Sequence, residues 1–153
     1  MPLGDNTEVL YSAPVPEQKL TGYGRMALLS KPIESVDKAV EILKTYIGVD
    51  KLRVTKAVGG NTEITSVGVC CGSGSGVFGP SASADLLVSG EMAHHDLLNA
   101  AANGSNVVLA EHSRSERGFS KLWAKKLEEL LKKMDADVSV VFAESDADPV
   151  DIL

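Results

Sequence analysis

His112 and Glu116 stand four positions apart in the sequence. In a helix that spacing puts both side chains on one face, where an imidazole and a carboxylate can share one ion. Such a donor pair suits zinc, iron or manganese. The same stretch, Ser113-Arg114-Ser115-Glu116, also has the pattern of a capping box, in which Glu116 serves the backbone of a helix start and His112 is a surface histidine. On spacing alone the cap is the simpler reading.

A denser cluster lies upstream at Glu91, His94, His95 and Asp96. Adjacent histidines point in different directions and do not easily reach one ion. Asp96 suits the first turn of a helix, where negative charge is favoured. A histidine or carboxylate here is equally suited to orienting a metal ligand or carrying a proton. Gly74-Ser75-Gly76-Val77-Phe78-Gly79 matches the dinucleotide fingerprint formally. That motif needs a full helix directly after it, and Pro80 leaves room for about one turn before the next strand. The glycines read better as a tight backbone passage under a site. Cys70 and Cys71 are neighbours in an apolar run, which makes them expected core thiols, and adjacent cysteines do not close an ordinary disulfide.

These residues need elements to hold them. Met26 to Leu29 reads as a strand. Ser35 is a good N-cap for a helix carrying Val36, Val40, Leu43 and Ile47, with Gly48 at its end. Leu52 to Val58 has strand character, and a turn follows at Gly59 to Asn61. Val67 to Cys71 is a buried-type strand feeding the glycine loop. Asp85 to Ser89 is another strand, followed by a short helix from about His94 to Asn103, capped by Gly104. Asn106 to Ala110 runs directly into His112. A long helix then aligns Phe119, Leu122, Trp123, Leu127, Leu130, Leu131 and Met134 on one face. Val138 to Ala143 reads as a closing strand before an acidic tail. Residues 1–20, with Pro2, Pro14 and Pro16, read as an extended lead-in. Apolar strands alternating with helices predict an α/β fold: a single layered domain with a largely parallel or mixed central sheet flanked by helices. In such sheets sites form beyond the carboxyl ends of the strands. The strands ending at Cys71, Ser89 and Ala110 deliver the glycine loop, the Glu91 cluster and His112 to one rim.

At 153 residues, with 44% hydrophobic and 24% charged residues, the chain has the make-up of one globular domain. A net charge of −6 gives no footprint for nucleic acid or anionic membrane. Lys121, Lys125, Lys126, Lys132 and Lys133 alternate with apolar positions and with Glu128 and Glu129, which describes the wet face of a helix. Two unpairable cysteines suggest a reducing compartment. No apolar run is long enough to span a membrane, and no secretion signal opens the chain. The expected location is the cytoplasm, with the nucleus as a second.

Several segments together resemble a known family. Gly22-Tyr23-Gly24-Arg25, Cys70 to Gly76, Gly90 to Asp96, Glu111 to Phe119 and Asp146-Ala147-Asp148-Pro149 occur in the order seen in the Nif-three-like proteins. These form the NGG-interacting factor three family, also labelled GTP cyclohydrolase I type 2 homologues. The resemblance covers residues 21–153 and corresponds to the carboxyl-terminal half of the family. It implies a dinuclear metal centre in a cleft between two α/β halves, in a toroidal homo-hexamer. It implies that His112 and Glu116 are metal ligands, and that Glu91 and His95 line the same cleft with a catalytic, proton-transfer or substrate-contact role. The implied cofactor is a divalent transition metal (zinc, iron or manganese), with two ions in the full-length protein. The implied activity is metal-dependent hydrolysis of a small or nucleotide-like substrate. The family name also implies a transcription-related protein partner, and an alternative role as a non-catalytic interaction module. The chain departs from the family in one respect: it has three histidines and none precedes His94. The His-His pair and the Asp expected from an amino-terminal half are not in this sequence. It is therefore expected to be a fragment, or a half that works with a partner or without metal.

Overall fold

A computed structural model describes residues 7–10, 22–59, 63–79, 84–134, 137–148 and 150. The expected turn at Gly59 to Asn61, the turn through Pro80, most of the lead-in and the end of the acidic tail lie wholly or partly outside those residues. The strands are β1 (Thr7–Leu10), β2 (Gly24–Ile33), β3 (Arg53–Thr55), β4 (Ile64–Ser73), β5 (Leu86–Glu91) and β6 (Asn106–Leu109). The helices are α1 (Val36–Ile47), α2 (Ser75–Phe78), α3 (His94–Ala102) and α4 (His112–Lys133). The sheet is mixed, in the order β1-β2-β4-β5-β6-β3. Its central strands β4, β5 and β6 are parallel, and the flanking pairs are antiparallel.

The burial of each strand follows its place. β6 is buried along its whole length and β5 along all but its last residue, as strands covered on both faces must be. One face packs Phe78 of α2 and Ala100 of α3 on Cys70, Leu87, Val107 and Leu109. The other packs Val36 and Ala39 of α1 on Ile64, Leu86, Val88 and Val108. α1 has the expected caps: Ser35 Oγ accepts from the Lys38 N–H at 3.1 Å, and Gly48 (φ 79°) donates to the Lys44 carbonyl at 2.8 Å. α2 is a single turn, which removes the full helix that a dinucleotide fingerprint requires.

Three expectations change. Cys71 is exposed while Cys70 is buried. Successive strand residues face opposite sides, and α2 covers only one side of β4 at this end. Val138 to Ala143 forms no strand. The segment lies beside α4, with Phe142 under Lys121, instead of on a sheet edge, and Val141 is 82% exposed. α4 buries none of its residues: Phe119, Trp123 and Leu130 are each more than half exposed. Its amino-terminal part is nonetheless anchored. Arg117 pairs with Asp146, and Arg114 lies 3.7 Å from Asp148, so the acidic tail folds back on the helix.

Candidate functional site

The site sits where β4, β5 and the start of α4 meet. β4 and β5 pair at Cys70↔Ser89 and then at Ser73↔Glu91, so three steps on β4 answer two on β5. The extra residue makes a bulge, and Gly72 takes it up in the left-handed region at φ 68°. Its N–H turns to Ser115 Oγ at 2.8 Å, and its carbonyl accepts from Ser89 Oγ at 3.2 Å. Ser115 Oγ in turn donates to the His112 carbonyl at 2.7 Å. The first turn of α4 is therefore seated on the bulge.

Two missing side chains make that seat possible. A Cβ on Gly90 would lie 2.6 Å from the Gly72 carbonyl oxygen and 2.8 Å from His112 Cα. A Cβ on Gly72 would lie 2.7 Å from Glu116 Oε1 and 3.1 Å from His112 Nε2. Gly72 thus opens the space that the imidazole and the carboxylate face. Isolated glycines within strand patterns signal such close approaches.

Glu91 Oε1 accepts from His112 Nδ1 at 2.9 Å, and Nε2 faces Glu116 Oε1 at 3.7 Å. All three side chains are about half exposed. The Glu91 hydrogen bond, opposed by loss of hydration and helped by the charges of Glu116 and Glu91, holds the imidazole above its ordinary pKa. The carboxylate on Nδ1 fixes the tautomer and leaves Nε2 as the free donor. The capping-box alternative does not form: α4 has no side-chain cap, and Ser113 Oγ accepts instead from Arg117 Nε at 2.6 Å.

Two donors on one ion, with bonds of roughly 2.0–2.2 Å, lie no more than about 4.2 Å apart. The Nε2–Oε1 separation of 3.7 Å falls inside that limit. The pair and the cradle above Gly72 fit a metal, but as part of a ligand set. Among the described residues no three His, Cys, Asp or Glu side chains converge as a complete site. His95 is exposed on the first turn of α3, with its ring edge-on to His94 at 5.8 Å between centroids. Asp96 lines a separate cavity of about 300 Å³ with Ser75, Asn99 and Asn103. Cys71 is exposed as a residue, but partial desolvation of its sulfur first, and then the Glu116 charge, push the thiol above its ordinary pKa.

Two further residues contribute to the site: Glu111, which opens one of the family segments but has no expected role there, and Arg53, which carries no signal in the sequence. Glu111 adopts φ 69° and ψ 147°, a region that side-chain-bearing residues rarely enter. Its carboxylate pairs with Arg53 Nε of β3 at 2.9 Å. This link turns the chain sharply from β6 into α4, and His112 follows directly.

The architecture is a mixed-sheet α/β fold with a histidine–carboxylate pair at the carboxyl rim and a second carboxylate behind the histidine. The sequence profile described as Duf34/NIF3 (NGG1p interacting factor 3) matches residues 5–149, and the chain belongs to that family. It is 36% identical to NIF3-like protein 1 of Mus musculus over 154 residues, covering 99% of this chain and 39% of that protein. It is 34% identical to NGG1-interacting factor 3 of Saccharomyces cerevisiae, covering 87% of this chain and 46% of the yeast protein. The chain thus spans less than half the length of these relatives. The crystal structure of a Bacillus cereus protein related to NIF3 superposes with a TM-score of 0.72 at 22% identity, over 85% of this chain and 36% of that one. That likeness speaks to the fold. No described helix is long and apolar enough to cross a membrane.

Proposed function

We propose that this chain is one wall of a dinuclear metal centre in a hydrolase of the NIF3 family, with His112 Nε2 and the Glu116 carboxylate as its two metal ligands. The observation that carries the reading is the geometry around His112: Glu91 on Nδ1 at 2.9 Å and Glu116 facing Nε2 at 3.7 Å over the side-chain-free Gly72. Zinc, iron or manganese in such a cleft supplies the Lewis acidity for hydrolysis of a small or nucleotide-like substrate. Glu91 orients the imidazole, and the half-exposed carboxylate can exchange a proton with it. His95, on the neighbouring rim, is the second proposed proton carrier. The remaining ligands belong to the part of the longer relatives that this chain does not span, and a homo-oligomer, a hexamer by family resemblance, is the proposed assembly.

Calorimetric titration with zinc tests the assignment. The chain alone is expected to bind weakly, because two protein ligands are fewer than the usual four. Mixing with the amino-terminal portion of a full-length relative is expected to tighten binding. His112→Ala is expected to weaken it by more than the roughly ten- to hundredfold that losing an outer hydrogen-bond partner costs. Equal titration by wild type and His112→Ala would sink the metal assignment.

A second reading is a non-catalytic interaction module linked to transcriptional regulation. The name of the yeast relative and the half-exposed apolar face of α4, where Phe119 and Trp123 stack 6.1 Å apart, favour it. Partner binding that survives His112→Ala and is lost with Trp123→Ala would support this module in place of the enzyme.

A further inference from the structure

The face of the sheet that carries α1 holds a cavity of about 470 Å³ at the carboxyl ends of β4 and β5. That volume lies within the roughly 300–1,000 Å³ range of small-molecule sites. Its body is apolar, built by Leu43 and Ile47 of α1, Val69, Val88 and Ala110. Tyr23 and Tyr46 also line it, 65% and 80% exposed, so that their rings are bare surfaces for another flat ring. Arg25 is the one charged side chain among the described lining residues. Its guanidinium donates to the carbonyl oxygens of Gly22 at 3.3 Å and Gly24 at 2.7 Å, which commits it to the loop that presents Tyr23.

One end of the cavity touches the frame of the His112–Glu116 pair. Ser115 and Cys71 line that end. Ser115 Oγ is the group that accepts the Gly72 N–H, and Cys71 immediately precedes Gly72. A molecule filling the cavity therefore ends beside the bulge over which the imidazole and carboxylate face each other.

We propose that this cavity is the ring-binding subsite of the metal cleft and takes a planar, uncharged aromatic or heteroaromatic group against Tyr23 and Tyr46. The inference rests on the hydrolase reading and narrows its substrate class: the ring lodges in the apolar body and the scissile bond lies toward His112 and Glu116. Phosphate-rich ligands are disfavoured in the body of the cavity, because Leu43, Ile47, Val69, Val88 and Ala110 offer a phosphate no donors there. Stacking on a bare aromatic ring tolerates any flat ring, and shape and charge set the selection.

Cys71 is a built-in reporter, since it is exposed in the cavity, whereas Cys70, which also lines it, is buried and packs into the core with Phe78 and Leu87. The experiment follows the alkylation rate of Cys71 by iodoacetamide in the whole chain, with 2-acetamidonaphthalene as the probe. Saturating probe is expected to slow alkylation about fivefold or more, while N-cyclohexylacetamide and guanosine monophosphate change it less than about twofold. Tyr46→Ala, on the exposed side of α1, is expected to weaken the naphthyl protection about tenfold without unfolding the chain. Absence of protection, equal protection in Tyr46→Ala, or equal protection by guanosine monophosphate would each overturn the proposal. Neither reagent needs a metal. A lost zinc titration with intact protection therefore counts against the metal reading, and lost protection with an intact titration counts against the subsite.

Discussion

The two ends of the β4–β5 pair are held by opposite means. At the amino end one carboxylate ties the strands together. Asp85 Oδ2 accepts from the N–H and hydroxyl of Thr65, at 2.8 and 2.6 Å, and from the N–H and hydroxyl of Ser66, at 2.9 and 3.0 Å. At the carboxyl end there is no such knot. Backbone approaches backbone across Gly72 and Gly90, and the charged groups that result, Glu91, His112 and Glu116, stay half exposed. The first end saturates its polar groups and closes. The second leaves the Nε2 lone pair and the Glu116 carboxylate facing each other at 3.7 Å, too far for a hydrogen bond. One end serves stability, and the other trades local satisfaction for a site.

The sharpest way to break the comparison is Gly90→Ala. Its new Cβ would meet two backbone atoms within 2.8 Å, and backbone cannot rotate away as a side chain can. A loss of about 3 kcal/mol is expected in denaturant unfolding, at the upper end of overpacking costs. Tolerance of this change would mean that α4 is not seated tightly on the bulge.

Asp85→Ala comes next, with an expected loss of about 2 kcal/mol, as for hydrogen bonds to a charged group. Burial alone would raise the pKa of this carboxyl, but the Thr65 and Ser66 donors outweigh it and hold the pKa below the ordinary carboxylate range. The sign follows directly. The unfolded chain takes up the proton first, so the stabilisation is complete above the unfolded pKa of about 3.9 and fades as pH falls through the lower folded value. The wild type should lose stability relative to Asp85→Ala in that acid window and nowhere near neutrality. An unchanged difference between pH 6 and pH 2 would contradict the knot.

Glu91→Gln acts on the open end. The amide can still contact Nδ1, but it brings no charge. Zinc affinity is expected to fall about tenfold, equivalent to about 1.4 kcal/mol, with little change in unfolding. A fall in stability without a fall in affinity would make Glu91 a structural residue.

The contrast also separates what the sequence made legible from what it did not. The caps of α1 at Ser35 and Gly48, the buried β5 and β6 runs, and the delivery of Glu91 and His112 to one rim all follow from local pattern. Local pattern reads neighbours along the chain, and these features depend on neighbours. Val138 to Ala143 has strand composition, yet whether such a run joins a sheet is decided by tertiary packing, and here it lies against α4. The apolar stripe of α4 was legible, but whether anything covers it is a tertiary matter. Gly72 and Gly90 were visible only as members of a glycine-rich stretch and of a family motif. Their role appears when β4, β5 and α4 come together. The Arg53–Glu111 pair joins two elements with nothing in their local sequence to connect them.

That pair carries the smallest expected effect. Glu111 holds a backbone conformation that costs a side-chain-bearing residue about 1–3 kcal/mol. Its ion pair with Arg53 is partly exposed, and such pairs return about 0–1 kcal/mol. Glycine at this position removes the strain but loses the pair and adds about 0.5–1 kcal/mol of unfolded-chain entropy. Glu111→Gly is therefore expected to raise stability by no more than about 1 kcal/mol in equilibrium unfolding. The same change frees the link that delivers His112, so zinc affinity should fall about threefold because the donor must be ordered on binding. Rising stability with falling affinity would mark the strain as held for the site, in the way that the carboxyl end of the sheet already trades closure for access. If both quantities rise together, the unusual backbone at Glu111 is a cost of the turn alone, and the difference between the two ends rests on the glycines.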